Sequence, residues 1–373
     1  MVTPRVLAND FPRQWADAGA DAVAAIRRVG ARGLYVLGEE VASFERALAG
    51  RTGRAFAVGC GSGLDAIEIA LRALGLRPGD RVLTTPLSAF ATTLAIVRAG
   101  GVPVFVDVDA GGLLDLDLVE AALAADPSCR SLVVVHLYGR ALDLVRLAAL
   151  RERFGLLLVE DCAQALGSRR GRREVGSAGQ AAALSFYPTK SLGALGDGGA
   201  LLTDDPRLAE AFRTLRDYGQ ESKYHHTVLG LNSRLDELHA AVLHRAFLPR
   251  LGRWTERRRQ VAQAYLGGIR SSRVRPLPVA AGSEPAWHLF PVMAEAGSRE
   301  AFLAHLGGRG VEAAVHYPTL ICDQPALREV AFEVRGDLAH ARAIAAREVS
   351  LPMQPYLDDD DVGRVLEAVA SWT

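Results

Sequence analysis

The segment "SFYPTKSLGALGDGGALL" occupies residues 185–202, and it begins and ends in apolar stretches that predict β-strands. Between them it places a single lysine, Lys190, in a loop of glycine and other small residues. Lysine is normally a solvated surface residue, so this position calls for a functional explanation. Burial lowers the pKa of an amine and frees it to act as a nucleophile, and glycines let a bulky ligand come close.

The sequence before this segment alternates short apolar strands with amphipathic helices. The predicted strands are 81–86, 102–108, 131–139 and 155–162, and the predicted helices are 116–125 and 142–154. Apolar strands separated by helices indicate a parallel sheet with helices on both faces. The pattern therefore predicts an α/β fold.

The C-terminal part of the chain follows a different pattern. Residues 232–266 look helical, and the segments 286–295, 299–310, 311–318 and 359–372 predict a strand, a helix, a second strand and a final helix. We therefore expect a large domain over residues 1–245, including the N-terminal segment, and a smaller α+β domain over residues 246–373.

The composition excludes several classes of protein. Among the 373 residues, 43 basic side chains balance 43 acidic ones, so charge favours neither nucleic acid nor a membrane surface as a partner. The four cysteines lie far apart, which argues against a disulfide framework or a metal site and fits the cytoplasm. No apolar run reaches the roughly 20 residues of a membrane helix, and the N-terminus lacks a signal-peptide core.

A second glycine-rich stretch, "AVGCGSGLDAIEIALRALGL" (57–76), leads into a predicted helix. Backbone N–H groups at a helix N-terminus suit a phosphate group, although such a stretch can also be a simple turn. The dinucleotide motif would need glycine at position 64 after Gly59 and Gly61, and Leu64 stands there. This departure disfavours a nicotinamide-dependent oxidoreductase.

Two carboxylates, Glu160 and Asp161, end the apolar strand "GLLLVEDC". Side chains at the carboxyl end of a parallel strand face the ligand crevice of an α/β sheet, although Asp161 could instead cap a helix. A carboxylate, a lysine and a phosphate loop are what pyridoxal 5′-phosphate requires. Lys190 and Asp161 are therefore candidate catalytic residues.

At this point the chain resembles the DegT/DnrJ family of sugar-nucleotide aminotransferases, which are pyridoxal-phosphate enzymes of fold type I. The resemblance covers nearly the whole chain. It rests on colinear motifs that include "GSGLDAI", "GDRVLTTPLSAFATTLAI", "LLLVEDCAQALGS", "LSFYPTKSLGALGDGGALLT", "GLNSRLDEL", "VHYP" and "SLPMQPYL". It implies the aspartate-aminotransferase-like fold, with a mixed, mostly parallel sheet in the large domain.

The resemblance also implies roles for individual residues. Lys190 matches the lysine that binds the cofactor covalently, and Asp161 matches the partner of its ring nitrogen. Gln164 matches a donor to the ring oxygen. Ser185 matches a phosphate ligand.

Three further positions match cofactor contacts in the family. Phe90 falls where an aromatic residue stacks on the cofactor ring, although it could be a core residue. Gly63 and Leu64 match the loop whose backbone amides hold the phosphate. Many relatives have threonine at position 64, so a hydroxyl contact is lost here.

The remaining matches concern a partner subunit and the substrate. Asn232 matches an asparagine that reaches the phosphate of the neighbouring subunit, which implies a homodimer with shared active sites; it could also be a helix N-cap. The matched substrate-side residues are Lys223, Tyr224, His226, His316 and Tyr317. Cys322 stands where relatives often have histidine.

The resemblance implies transfer of an amino group from L-glutamate to a keto sugar carried by a nucleoside diphosphate, with the cofactor alternating between its pyridoxal and pyridoxamine forms. It is closest to the C-3 aminotransferases of dTDP-3-keto-6-deoxyhexoses. The alternatives are a C-4 aminotransferase, a sugar dehydratase of the same fold, and a regulatory cofactor-binding protein. The dehydratases carry histidine in place of Lys190.

Overall fold

The computed structural model describes residues 5–372. Its helices are α1 (Phe11–Arg32), α2 (Glu39–Thr52), α3 (Gly63–Ala73), α4 (Phe90–Arg98), α5 (Leu116–Ala125), α6 (Leu144–Phe154), α7 (Pro206–Arg216), α8 (Glu237–Val242), α9 (Leu251–Gly268), α10 (Arg299–Gly308), α11 (Ala339–Arg347) and α12 (Asp359–Ala370). The first strands are β1 (Phe56–Cys60), β2 (Arg81–Thr84), β3 (Val102–Val106), β4 (Ser131–Val135), β5 (Leu157–Asp161), β6 (Arg169–Arg170), β7 (Arg173–Glu174) and β8 (Ala181–Ser185). The others are β9 (Gly199–Thr203), β10 (Gln220–Ser222), β11 (His225–His226), β12 (Val274–Pro276), β13 (Ser283–Glu284), β14 (Phe290–Ala294), β15 (Glu333–Arg335) and β16 (Glu348–Leu351).

The central sheet has eight strands in the order β1-β9-β8-β5-β4-β2-β3-β15. Every neighbouring pair from β8 to β15 is parallel, and β9 is antiparallel to both β8 and β1. The sheet is therefore mixed and mostly parallel, as predicted. Because all strands except β9 run the same way, the carboxyl ends of β1, β2, β5 and β8 meet at one edge, where ligands bind in such sheets.

The four strands predicted before residue 162 are confirmed, and the helix predicted at 116–125 forms over Leu116–Ala125. Strand β4, for example, is buried at every residue, which is why its sequence is apolar throughout and could be recognised as a strand of a parallel sheet. Strands β1 and β15 and the two N-terminal helices α1 and α2 were not predicted from the sequence. Strand β15 is three residues long and pairs with β3 from far along the chain, which leaves little local signal.

The C-terminal region contains a three-stranded antiparallel sheet, β12-β14-β16, covered by α10 and α12. The strand predicted at 311–318 is wrong as a regular strand, since this segment forms only isolated bridges from Val311 and Ala314. The reason is visible at His316, whose backbone N–H donates to the Glu348 carboxylate at 2.7 Å instead of joining a ladder.

The helical region predicted from residue 232 begins later, at Glu237, with Asp236 as N-cap. It continues through a π-helical turn at Leu243–Phe247 into α9. Ala246 packs in the same cluster of buried apolar residues as Phe44 and Phe186, whereas Val261 packs in the cluster that contains Phe290 of the C-terminal sheet. The domain boundary between residues 245 and 246 stays a prediction.

No helix within residues 5–372 is both long and apolar enough to cross a membrane. The four cysteines, Cys60, Cys129, Cys162 and Cys322, are free. The cytoplasmic location stays a prediction.

Candidate active site

Lys190 lies in the loop between β8 and β9, at the edge where the parallel strands end. Its backbone N–H donates to the Tyr187 carbonyl at 2.8 Å, which holds the loop in a turn. Burial lowers the pKa of the Lys190 amine, and the nearby Asp161 carboxylate acts in the opposite direction. Within residues 5–372, no group hydrogen-bonds the Lys190 amine, so it is available to a ligand.

Asp161 is the last residue of β5, and its carboxylate is held by two donors. The Thr92 hydroxyl donates to one oxygen at 2.8 Å, and the Ala163 N–H donates to the other at 3.1 Å. Turns rather than a helix follow Asp161, so the helix-cap alternative is wrong. Burial raises the pKa of Asp161, against the opposing hydrogen bonds and the charge of Lys190. A cationic ring nitrogen beside it would favour the ionised form.

Glu160, which precedes Asp161, does not face the site. Its carboxylate accepts backbone N–H groups of Gly176, Ala178 and Gly179 at 2.6–2.9 Å and pairs with His136 Nε2 at 2.8 Å. With Cys162, these side chains form a buried group of metal-ligand types. Because the Glu160 oxygens are already engaged by these donors, the cluster is a hydrogen-bonded structural unit.

The start of α3 and the end of β8 form a cradle. A Cβ added to Gly63 would lie 2.7 Å from Ser185 Cβ, so only glycine lets these segments come so close. The Ser62 side chain caps the helix by accepting the Asp65 N–H at 3.1 Å, and the first-turn amides have no intrahelical acceptor. The cradle therefore offers amide donors and a serine hydroxyl to an anion.

Gln164 joins the large-domain side of the site to the segment 311–318. Its Oε1 accepts the Tyr138 N–H at 2.6 Å, and its Nε2 donates to the Tyr317 hydroxyl at 3.3 Å. The Tyr138 hydroxyl in turn donates to the carbonyl of His316 at 2.7 Å. His316 and Tyr317 are thus brought to the Lys190 side of the molecule, as the resemblance implied.

Phe90 and Cys322 pack beside one small cluster of buried apolar residues that includes Phe105 and Ile321. Phe90 is the first residue of α4 and is only partly buried, so part of its side chain is not covered by core residues. Leu64 likewise packs at the margin of a core cluster. The stacking role of Phe90 stays a prediction.

The remaining predicted residues lie away from this group. Lys223, Tyr224 and His226 are exposed on the β10–β11 hairpin. Asn232 is also exposed and pairs with Asp217 in an isolated bridge, so its alternative role as a helix N-cap is wrong. Within the single chain, these four residues are not drawn into the Lys190 group.

Several residues of the site were missed by the sequence analysis. They are Thr92, Tyr138, Ser233, His288, Glu348 and Ser350. Ser233 accepts the Gly61 N–H and donates to Asp65, which ties the cradle to the segment before α8. Thr92 lies within the motif "SAFATT", and the polar pair in the apolar strand "EVSL" was a signal that could have been used.

Comparison with known proteins agrees with this geometry. The sequence profile of the DegT/DnrJ/EryC1/StrS aminotransferase family matches residues 16–370. The chain is 42% identical over 372 residues to a Streptomyces venezuelae dTDP-3-amino-3,4,6-trideoxy-alpha-D-glucose transaminase, covering 99% of this chain and 97% of that protein.

Two solved structures are similar along the chain. The crystal structure of S. venezuelae DesV in complex with a ketimine intermediate superposes with a TM-score of 0.94, at 42% identity and 99% coverage of both chains. That of NtdA from Bacillus subtilis with bound cofactor PMP gives 0.89, at 27% identity, covering 99% of this chain and 85% of that one. This protein therefore belongs to the DegT/DnrJ/EryC1/StrS aminotransferase family.

Proposed function

We propose that the protein transfers an amino group from L-glutamate to the C-3 keto group of a dTDP-linked 3-keto-6-deoxyhexose, using pyridoxal phosphate. The observation that carries this proposal is the half-buried Lys190, whose amine has no hydrogen-bond partner within residues 5–372, beside a carboxylate and a glycine–serine cradle at one sheet edge. Relatives and solved neighbours named as sugar transaminases or bound to PMP support it.

The residues present fit this cofactor. At the cradle of Gly63 and Ser185, the glycine lets the two segments approach closely, and backbone N–H groups and a hydroxyl are available as donors to a phosphate. Asp161 provides a buried carboxylate for a cationic ring nitrogen, and Gln164 Nε2 is a donor at the site. Leu64 adds no hydroxyl, so backbone amides of the cradle would do more of the phosphate binding.

The chain's own residues divide the chemistry among them. Pyridoxal phosphate, when bound, supplies an electron sink for the carbanion formed at the α-carbon of the amino donor. Lys190 would hold the cofactor covalently through Nζ and, once displaced by the donor, would carry the proton between the reacting carbons. Asp161 would keep the ring nitrogen protonated. Desolvation lowers the pKa of Lys190 from its usual value, which shifts the balance toward the neutral amine that both roles use.

The substrate and its regiochemistry are tested by an amination assay. Candidate dTDP-3-keto and dTDP-4-keto sugars are each supplied with L-glutamate, and products are identified by mass and NMR. A 3-amino sugar is the expected product. A 4-amino product would favour the C-4 alternative, loss of a hydroxyl without amination the dehydratase, and cofactor binding without turnover the regulatory protein.

We also propose a homodimer in which Asn232 reaches the phosphate of the neighbouring site. Exposed apolar residues lie next to the segment that carries it, because Val36 in the loop before α2 bridges to Asp236. That loop exposes Leu34, Tyr35, Val36 and Leu37. On the Lys190 loop, Tyr187 and Leu195 are also exposed. Exposed apolar side chains in this number favour an interface with a second subunit.

Complementation tests the shared site. Lys190→Ala subunits are mixed with Asn232→Asp subunits, in which a carboxylate would repel the phosphate. If sites are shared, one site of the heterodimer collects both changes and the other collects none, so activity returns above that of either variant. No gain on mixing, or an active monomer by light scattering, would refute the shared site.

The nucleotide-binding role of Lys223, Tyr224 and His226 forms part of the same proposal. The hairpin is exposed, and Lys223 Nζ lies 5.2 Å from the centre of the Tyr224 ring. A cation and an aromatic face suit a nucleoside diphosphate. Lys223→Ala should raise KM for the sugar nucleotide with little change in kcat.

A further inference from the structure

A chain of hydrogen bonds runs from a buried carboxyl group to the imidazole of His316. Glu348, at the start of β16, has a fully buried side chain. Its Oε2 accepts the backbone N–H of His316 at 2.7 Å, and its Oε1 lies 2.5 Å from the Ser350 hydroxyl oxygen. The same hydroxyl lies 3.0 Å from His316 Nδ1. Three side chains from two segments are thus joined in one line.

The far end of this line faces a cavity beside the catalytic lysine. His316 and Ser350 line a cavity of about 110 Å³ together with Thr189, the neighbour of Lys190, and with His288. His316 Nε2 has no hydrogen-bond partner within residues 5–372. Nε2 is therefore the ring atom left for a water or a reactant.

The charged surroundings leave Glu348 without a close cation. Arg299 and Arg140 favour its ionised form only through the longer-range field, and neither lies within 4.0 Å of it. Tyr138 and Tyr317 face it as neutral phenols, because burial raises the pKa of both. Burial raises the pKa of Glu348 to about 8, against the donors His316 N–H and Ser350.

His316 itself stays neutral over the same range. Burial, with a smaller contribution from the charge of Lys190, lowers its pKa to about 4. His288, which also faces it, is neutral because burial and the charge of Lys190 lower its pKa well below the usual value. The variable property of the His316 ring is therefore which nitrogen carries the single proton.

We propose that Glu348 and Ser350 are positioning residues that set the tautomer of His316, and so decide whether its Nε2 offers a proton or a lone pair to the cavity beside Lys190. Since Glu348 Oε2 is occupied by the His316 N–H, a proton on the carboxyl group sits on Oε1, facing Ser350. Ser350 then donates to Nδ1, and Nε2 carries the ring proton.

Ionisation of Glu348 reverses each hydrogen bond in the line. The proton leaves from His316 Nε2, Nδ1 takes the Ser350 proton, and Ser350 takes the proton of Glu348. The result is a carboxylate that accepts from Ser350, a hydroxyl that accepts from Nδ1, and a lone pair on Nε2. One proton is released at the cavity, and no other bond changes.

This arrangement would serve the proposed amination, in which an oxygen of the keto sugar must be protonated before it leaves as water. That use rests on the proposed function, whereas the tautomer change does not. The two can therefore fail separately.

The test is ¹⁵N NMR of the histidine-labelled holoenzyme between pH 6 and pH 10. His316 is assigned by the signals lost in His316→Gln. We expect its Nδ1 to change from an unprotonated to a protonated shift with a midpoint at pH about 8, and Nε2 to change in the opposite sense. In Glu348→Gln the amide faces Ser350 as a permanent donor, so His316 should keep the Nε2-protonated tautomer at every pH.

His136 is an internal control in the same spectra. Its Nδ1 accepts the Leu142 N–H and its Nε2 pairs with Glu160, so its tautomer should not change. If Glu348→Gln does not fold, the ¹³C titration of the Glu348 carboxyl group in the unmodified enzyme must share its midpoint with the His316 change. A single His316 tautomer throughout, or the same transition in Glu348→Gln, overturns the proposal.

Discussion

Glu160 and Asp161, the last two residues of β5, place one carboxylate on each face of the sheet, and the two carboxylates have different surroundings. Neighbouring residues of a strand point to opposite sides. Both side chains are buried, with 0% of Glu160 and 5% of Asp161 exposed. Burial raises the pKa of both carboxyl groups. For Glu160, the hydrogen bond and charge of His136 and the hydrogen bonds from the Gly179 and Gly176 amides outweigh burial, so its pKa is below the usual value. The pKa of Asp161 stays above its usual value.

The difference shows that burial alone does not identify a functional acid. Glu160 has its lone pairs filled by the protein and stabilises the fold. Asp161 has two donors and a lysine nearby, which leaves it capacity for a ligand. The number of donors aimed at each carboxylate separates the structural face from the face on which we propose catalysis. Four variants test this separation.

The largest effect is expected for Lys190→Ala on the catalytic face. Loss of both the covalent attachment and the proton carrier should lower turnover about 10⁴-fold or more. The variant should still fold and bind the pyridoxamine form. In the unmodified protein, borohydride should attach the cofactor to the peptide containing Lys190. Attachment to another lysine would contradict the assignment.

Asp161→Asn comes next. The amide cannot keep a ring nitrogen protonated, so turnover should fall by several factors of ten, each worth about 1.4 kcal/mol of barrier. Circular dichroism should show an intact fold. Turnover close to that of the unmodified enzyme would mean that Asp161 belongs with Glu160 as a structural acid.

Glu160→Gln is the matched change on the other face. Its amide would aim an N–H at backbone donors, so the free energy of unfolding should fall by about 3 kcal/mol, measured with urea. Because the folded-state pKa is depressed, the stability from Glu160 is present above pH 4.5 and is lost as pH falls through the lower folded value. The difference in the free energy of unfolding between the unmodified protein and Glu160→Gln should therefore become smaller in acid. Once folded, the variant should retain turnover; a loss like that of Asp161→Asn would remove the contrast.

The smallest effect is expected for Thr92→Val, which removes one donor from Asp161 without changing its shape. The loss of one hydrogen bond, about 1 kcal/mol, should lower kcat roughly fivefold at low pH. With less stabilisation of the carboxylate, the pKa of Asp161 rises further, so the acid limb of the kcat profile should move to higher pH. An unchanged acid limb would show that Thr92 does not support Asp161.

The positions of the candidate catalytic residues could be predicted because these residues follow strand ends in recognisable motifs. Asp161, Gln164, Ser185 and Lys190 are close in sequence to the strands that place them. The role of Glu160 could not be read in the same way, since its donors come from a loop 16–19 residues further on, whose path depends on the packed sheet.

The segment around His316 shows a second limit. Its sequence alternates as a strand would, but its pairing with β16 is limited to the bridge between Ala314 and Ser350, and the backbone N–H of His316 donates to the side chain of Glu348. The start of α8 was placed five residues early for a similar reason, because Asn232 pairs with Asp217 and delays the helix. In both cases a distant partner outweighed the local preference of the sequence.

The antiparallel strand β9 has a consequence for how this protein could be changed. Because Ser185 pairs with Gly199, both ends of the lysine loop are fastened to two adjacent strands, β8 and β9, that each have a neighbour on both sides in the sheet. The hairpin Gln220–His226, by contrast, is fastened only at its base and meets solvent on its other sides. Directed evolution of substrate range should therefore succeed by varying the hairpin, while libraries in the lysine loop should yield mostly inactive proteins.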